Sequence, residues 1–342
     1  MPGPTNAQHI DHIRWGIIGC GDVTEVKSGP AFNKVPASSL VAVMRRDAAK
    51  VKDYAQRHGV PKWYADAGQL INDPDINAVY VATPPGYHEE YTIAALQAGK
   101  PVYVEKPMSV NTASCERMLA VSQATNVKLS VAHYRRALPK FMAIKKLLDE
   151  NAIGHIRTVR LSMLQPDSSN IIADPVTNWR VDPAISGAGL FYDLAPHQLD
   201  LMLYFFGEVT ESFGIAANQA GLYKAEDVVA GVMRLSGDII FSGQWCFTVA
   251  EDSKEDICEI TGSAGKISFP VFGHEVTLLS GKEEKKMFFP PPAHIQQPMI
   301  EKVVQYFLGN DSNPCSATDA IGSMTVMENF VYGVESKMKK ES

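Results

Sequence analysis

The 342-residue chain has little cysteine, no strong charge of either sign and no long apolar run. Its five cysteines, Cys20, Cys115, Cys246, Cys258 and Cys315, are scattered and form no C-x-x-C pair. That excludes a dense disulfide framework and reads as free thiols in a reducing compartment. Lysine and arginine number 32 against 38 acidic residues, a formal net charge of −6. The basic excess of a nucleic-acid surface is therefore missing. No stretch reaches the roughly 18 apolar residues that would span a bilayer. Residues 1–12 are polar and proline-bearing, without the charged-then-apolar layout of a signal peptide. The expectation is a cytoplasmic protein with no nucleic-acid or membrane partner. Internal repeats, low-complexity tracts and residues at metal-ligand spacing are absent too, so no metal is expected.

What is present is an ordinary globular composition, 45% hydrophobic and 20% charged, over a length sufficient for two domains. Short apolar runs at 14–19, 40–44, 78–82, 102–104 and 129–132 alternate with helical patterns at 48–57, 87–98 and 113–124. Such alternation predicts a parallel sheet covered by helices on both faces. After residue 134 the style changes. A helix is expected over 139–151, then β-rich runs at 155–164, 210–217, 227–235, 239–248, 256–261 and 265–269. Tight turns such as Ser236-Gly237-Asp238 make these an antiparallel sheet. Further helices are expected at 193–205, 295–308 and 318–337, with a stiff connector from Phe288 to Pro292 and a loop over 165–182.

Gly19-Cys20-Gly21 follows the first strand and precedes a helix opening with Asp22 and Val23, the context of a dinucleotide fingerprint. The first glycine permits the turn, and the second lets backbone approach a pyrophosphate. Thr24 stands where a third glycine would be expected. The second strand ends in Met44-Arg45-Arg46-Asp47. Arg45 and Arg46 suit a 2′-phosphate, which favours NADP(H) while leaving NAD(H) open. The alternative is a solvated basic turn with Asp47 capping the next helix. Thr83 and Pro84 close the next buried strand where a cofactor would pass. His88 begins the helix beside them and is counted among the cofactor contacts, with no chemistry assigned to it.

Lys106, in Glu105-Lys106-Pro107, and the pair Asp193 and His197 are the strongest chemical signals. A four-residue spacing places Asp193 and His197 on one helix face. An amine, a carboxylate and an imidazole converging on one hydroxyl are the groups that proton transfer needs beside hydride transfer. Singly, each has a plainer role: Asp193 as a helix N-cap, His197 as a packed ring, Lys106 as a surface charge.

Gly16 to Gly21, Ala82 to Pro85, Glu105-Lys106-Pro107, Tyr134-Arg135-Arg136, and Gly187 to Asp193 running on through His197 and Asp200 occur in that order. Together they resemble the Gfo/Idh/MocA oxidoreductases. The resemblance implies an α/β chain with an N-terminal Rossmann doubly wound parallel sheet over 1–133. Residues 134–342 would form an α/β domain with a large, mainly antiparallel open sheet, through which a homodimer or homotetramer would form. It implies that Lys106, Asp193 and His197 are catalytic, that Glu105 and Arg135 line the nicotinamide pocket, and that the Lys106–Pro107 bond is cis. The Arg45 turn is similar to that of NADP-using dihydrodiol dehydrogenases. On this reading His197 accepts the hydroxyl proton, Lys106 stabilises charge on the reacting oxygen, and Asp193 orients the substrate hydroxyl and holds His197 or Lys106 in place. Tyr134, Trp179 and Arg180 are candidate substrate contacts, with packed or surface roles as alternatives, and His294 is a remote one. The expected activity is NAD(P)-dependent hydride transfer at a secondary alcohol or ketone of a sugar, cyclitol or related diol. Two readings compete with it: glycoside cleavage through transient oxidation, and a catalytically silent nucleotide-binding regulator.

Overall fold

The computed structural model describes residues 11–167 and 179–333. Six short strands form the first sheet: β1 (Ile13–Ile18), β2 (Ser38–Met44), β3 (Lys62–Tyr64), β4 (Ala78–Val81), β5 (Val102–Val104) and β6 (Leu129–Val131). All pair in parallel, in the spatial order β3-β2-β1-β4-β5-β6. Helices α1 (Asp22–Val26), α2 (Ala48–His58), α3 (Ala67–Asn72), α4 (His88–Gln97) and α5 (Thr112–Thr125) connect them. β4, β5 and β6 are buried along their whole length, which is why they appear as unbroken apolar runs. The strand order reverses between β1 and β4. Open parallel sheets bind ligands at that crevice, outside the carboxyl ends of the strands.

The second layer system begins with α6 (Pro139–Asp149), β7 (Ile156–Leu164), α7 (Pro183–Ser186) and α8 (Gly189–Phe206). It continues with β8 (Val209–Ala217), β9 (Val228–Leu235), β10 (Ile239–Cys246), β11 (Glu255–Gly262), β12 (Gly265–Phe269), β13 (Glu275–Ser280) and β14 (Glu283–Phe288). The eight strands run β14-β13-β12-β11-β7-β10-β9-β8. β7 and β10 pair in parallel and every other neighbour is antiparallel.

Helices α9 (Gln297–Leu308) and α10 (Ala317–Tyr332) then return toward the first sheet. Phe307 brings its ring 5.5 Å from Trp15 of β1, and Val131 N–H donates to the Cys315 carbonyl at 3.0 Å. A second tie is internal. Arg136, just after β6, donates to both oxygens of Asp200 on α8, at 2.8–3.1 Å. Both side chains are buried, so removing Arg136 leaves the Asp200 carboxylate uncompensated, at a cost of about 3–5 kcal/mol, whereas Arg136 also lies 3.6 Å from Asp319.

Two differences from the sequence reading bear on the site. α8 starts at Gly189 with Ala188 before it, so Asp193 lies inside the helix and is no N-cap. Pro196 likewise sits in the helix interior, where it removes the donor for the Tyr192 carbonyl and opens that turn. The others are peripheral. β3, β13, β14 and α3 were not expected, because short or charged edge segments lack apolar periodicity; β14 reads Glu-Glu-Lys-Lys-Met-Phe. Much of the expected 165–182 loop, and the end of the 318–337 helix, lie outside the described residues. Among the described residues no helix is long and apolar enough to cross a membrane, and no three His, Cys, Asp or Glu side chains cluster as a metal site.

Candidate active site

The nucleotide end is assembled where β1, β2 and β4 finish. Gly19 adopts φ +94°, and a Cβ there would come within 2.7 Å of Thr83, so the turn needs glycine twice over. Gly21 faces open space, with only the Gly19 oxygen at 4.0 Å from its would-be Cβ. The Thr83 hydroxyl is buried beside this opening and has no hydrogen-bond partner among the described residues. An open cradle of backbone next to an unpartnered hydroxyl fits a bound dinucleotide. Asp22 and Val23 open α1, which is only five residues long. Thr24, in place of the third glycine, is buried and donates its hydroxyl to the Gly21 carbonyl at 2.8 Å. The close backbone approach has moved to Gly29, whose Cβ would meet the Thr24 carbonyl at 2.2 Å.

At the end of β2, Asp47 caps α2 by accepting from Ala49 N–H and Lys50 N–H, both at 3.1 Å. Arg45 donates to the Cys20 carbonyl at 3.3 Å, and exposed Arg46 lies 4.9 Å from the Tyr87 ring. Pro84 leads into the turn that carries Tyr87. His88 is a correction. Its ring is fully buried, with its nitrogens 2.7 Å from the Thr83 carbonyl and 3.0 Å from the Pro107 carbonyl, so no ring atom is left for a cofactor. Burial holds the imidazole below its usual range, so it is neutral and donates to one carbonyl at a time. It ties the Thr83 turn to the Lys106 loop.

Glu105 ends β5 almost fully buried. Its carboxylate accepts from Tyr80 Oη at 2.5 Å, Gln296 Nε2 at 2.7 Å and Lys106 N–H at 3.1 Å. The adjoining Lys106–Pro107 bond is cis. Lys106 Nζ donates to Asp193 Oδ1 at 2.8 Å and to the Asp193 carbonyl at 2.9 Å, within the turn that Pro196 opens. Arg180 Nε donates to the other carboxylate oxygen, Oδ2, at 3.2 Å, with its guanidinium 4.6 Å from the Trp179 ring. Burial pushes the Asp193 carboxyl upward, but Lys106 and Arg180 outweigh it and hold it below the ordinary range. Asp193 is thus ionised at neutral pH.

His197 follows one turn later on α8. Its ring packs edge-on against Tyr134, centroids 5.1 Å apart, and against Phe272 at 5.8 Å. Nδ1 is buried without a hydrogen-bond partner. Burial pushes the imidazole well below its usual range, and the charges of Lys106, Arg135 and Lys27 push the same way. The ring is neutral at pH 7.

The Arg135 guanidinium donates to the Val271 carbonyl at 3.0 Å and lies 4.3 Å from the Phe272 ring, so it braces the turn that carries Phe272. Sequence reasoning missed Gln296, Phe272 and Lys27. Gln296 N–H donates to the Lys27 carbonyl at 3.2 Å, which sets Lys27 beside the Glu105 loop. Lys27 is exposed and has no ion pair among the described residues. No local pattern marks any of the three. His294 sits away from the pocket, between Lys34 Nζ and the Val26 carbonyl, each at 2.7 Å.

Comparison with known proteins agrees with this architecture. Residues 13–133 match the oxidoreductase family with an NAD-binding Rossmann fold, and residues 141–268 match the GFO/IDH/MocA C-terminal domain. The chain is 46% identical over 318 residues to Oxidoreductase P35 of Formosa agariphila, covering 93% of this chain and 98% of that protein. It is 32% identical over 199 residues to the scyllo-inositol 2-dehydrogenase (NADP(+)) IolW of Bacillus subtilis, covering 58% and 53% of the two. Among solved structures, an aldose–aldose oxidoreductase from Caulobacter crescentus superposes with a TM-score of 0.84 at 22% identity, covering 95% of this chain and 98% of that one. This protein therefore belongs to the Gfo/Idh/MocA oxidoreductases, dehydrogenases and reductases built on an NAD-binding Rossmann fold.

Proposed function

We propose that the protein transfers hydride between NADP(H) and a secondary alcohol or ketone carbon of a sugar, cyclitol or related diol. The observation that carries this reading is the Lys106–Asp193 contact at 2.8 Å with the neutral His197 ring one helical turn away. The bound nicotinamide supplies the hydride acceptor or donor. The chain's own groups do the rest. In the oxidative direction His197 takes the hydroxyl proton. Lys106 donates to the reacting oxygen as charge grows on it, and Asp193, braced by Arg180, aims the ammonium. Tyr134 and Phe272 keep bulk water from the imidazole, and Trp179 with Arg180 borders the opening for the substrate.

The NADP(H) preference rests on Arg45 and Arg46 at the end of β2 together with an Asp47 engaged in capping. The Bacillus subtilis relative carries NADP in its name, in keeping with that choice. A second copy of the chain is the proposed partner, meeting the outer face of β8–β10. There Phe213, Ile215, Val232 and Ile240 stand 42–79% exposed on neighbouring strands, a patch of the kind that interfaces cover. The proposed setting is a reducing cytoplasm, where the five cysteines, all free, remain thiols.

The test is oxidation of NADPH and of NADH against a panel of keto-sugars, inososes and dicarbonyls. Turnover on cyclic polyol ketones, faster with NADPH, is expected. Aglycone release from a glycoside without net cofactor turnover would replace this reading with transient oxidation. Cofactor binding without transfer to any member of the panel would leave only a nucleotide-binding role.

A further inference from the structure

We propose that the turn 270–274 is a built support that presents Phe272 as the apolar wall of the substrate site, selecting substrates that offer a C–H ring face. This rests on the hydride-transfer reading and adds to it a substrate shape and a set of positioning residues.

The turn joins β12 to β13, a task that needs only a few backbone hydrogen bonds. Instead, three charged side chains from distant parts of the chain grip it. Arg135 donates to the Val271 carbonyl at 3.0 Å. Lys140 of α6 donates to the Pro270 carbonyl and, at 2.8 Å, to the Gly273 carbonyl. Asp256 of β11 accepts from Val271 N–H at 2.8 Å and from Phe272 N–H at 2.7 Å. Five contacts on consecutive residues fix both the backbone and the direction of one side chain.

The support is costly to build, which a mere connector would not require. Lys140 is 4% exposed between the Phe141 and Phe269 rings, and burial pushes its ammonium down to about 7. What it presents is an aromatic ring left 36% exposed. Arg135 covers part of that ring at 4.3 Å, and the His197 ring meets it edge-on at 5.8 Å. The edge-on contact with His197 sets the exposed part of this ring next to the proposed base. A pyranose or cyclitol ring turning its C–H face to Phe272 would keep its hydroxyls free for Lys106 and Arg180.

Phe272→Ala is tested beside Phe272→Tyr, using a cyclic keto-polyol and a small acyclic dicarbonyl. For Phe272→Ala, KM for the cyclic substrate is expected to rise roughly tenfold, with little change for the dicarbonyl. Phe272→Tyr should restore the cyclic KM. Lys140→Met, which loosens the turn without touching the ring, should raise the cyclic KM in the same direction. A second readout needs no turnover: NMR titration of the His197 imidazole in cofactor-free protein. Lys27, Lys106, His133, Arg135 and Asp193 still face that ring in Phe272→Ala, so an upward move of its midpoint reports the lost wall. An unchanged cyclic KM, equal losses for both substrates, or an unmoved His197 titration would each overturn the proposal. If the wild-type protein transfers no hydride to either substrate, the function reading fails, and the titration still decides whether Phe272 walls off His197.

Discussion

Replacing Lys106 with methionine keeps the aliphatic stem and removes the ammonium, and the geometry sets two separate losses. The first is catalytic. Removing one positioned donor to a developing oxyanion costs about 10²–10³ in kcat, roughly 2.7–4 kcal/mol. The second is structural. The Lys106–Asp193 pair is 13% and 21% exposed, and Arg180 still reaches Asp193 at 3.2 Å in the variant. The full 3–5 kcal/mol for stripping one partner from a buried pair is therefore reduced to about 1–3 kcal/mol of stability. Steady-state NADPH oxidation gives the first quantity, and urea unfolding gives the second. NADPH binding, followed by fluorescence, should stay close to wild type, because the glycine turn and Arg45 are untouched. Adding Asp193→Asn removes the stranded charge, so stability should recover in part while turnover stays low. A Lys106→Met kcat within about threefold of wild type would refute the oxyanion role.

Arg45→Asp should weaken NADPH far more than NADH in equilibrium binding, and equal losses would remove the 2′-phosphate assignment. Asp200→Ala leaves Arg136 only Asp319, 3.6 Å away, and should cost about 2–4 kcal/mol in denaturant unfolding; a loss below about 1 kcal/mol would show the pair to be incidental. Stability should also fall in mild acid. Burial lowers His88, His133 and His197 below their usual range, so below about pH 6.5 the unfolded chain binds protons that the folded chain refuses. Their contribution is fully present above pH 6.5 and is lost as pH falls toward their folded values. The slope is about 1.4 kcal/mol per pH unit for each histidine, up to about 4 for all three. Unfolding free energies that stay level from pH 7.5 to 5.5 would contradict this.

The buried parallel strands were legible because burial on both faces leaves unbroken apolar runs, as in Ala78–Val81 and Val102–Val104. Lys106, Asp193 and His197 stand out through the order of their motifs, and the structure brings Lys106 and Asp193 to 2.8 Å with His197 one turn further along α8. The start of α8 was misjudged because Pro196 suggests a first turn, whereas the glycines of Gly187-Ala188-Gly189 let the helix begin earlier. Arg135 and His88 look like cofactor residues by position. Their partners, Val271 and Pro107, are backbone carbonyls that no side-chain pattern announces. Gln296 lies 191 residues from Glu105, and Lys140 lies 133 from Gly273. Each reads as an ordinary polar side chain until the fold closes the distance.

The central claim is that the amine, the carboxylate and the imidazole frame one carbon centre beside the nicotinamide. A crystal structure of the NADP complex with a substrate analogue tests it most directly. The analogue's reacting carbon is expected about 3–3.5 Å from nicotinamide C4, its oxygen in hydrogen-bond reach of Lys106, and His197 beside that oxygen. A nicotinamide ring lying outside the pocket of Lys106, Asp193 and His197, with the analogue bound elsewhere, would contradict it.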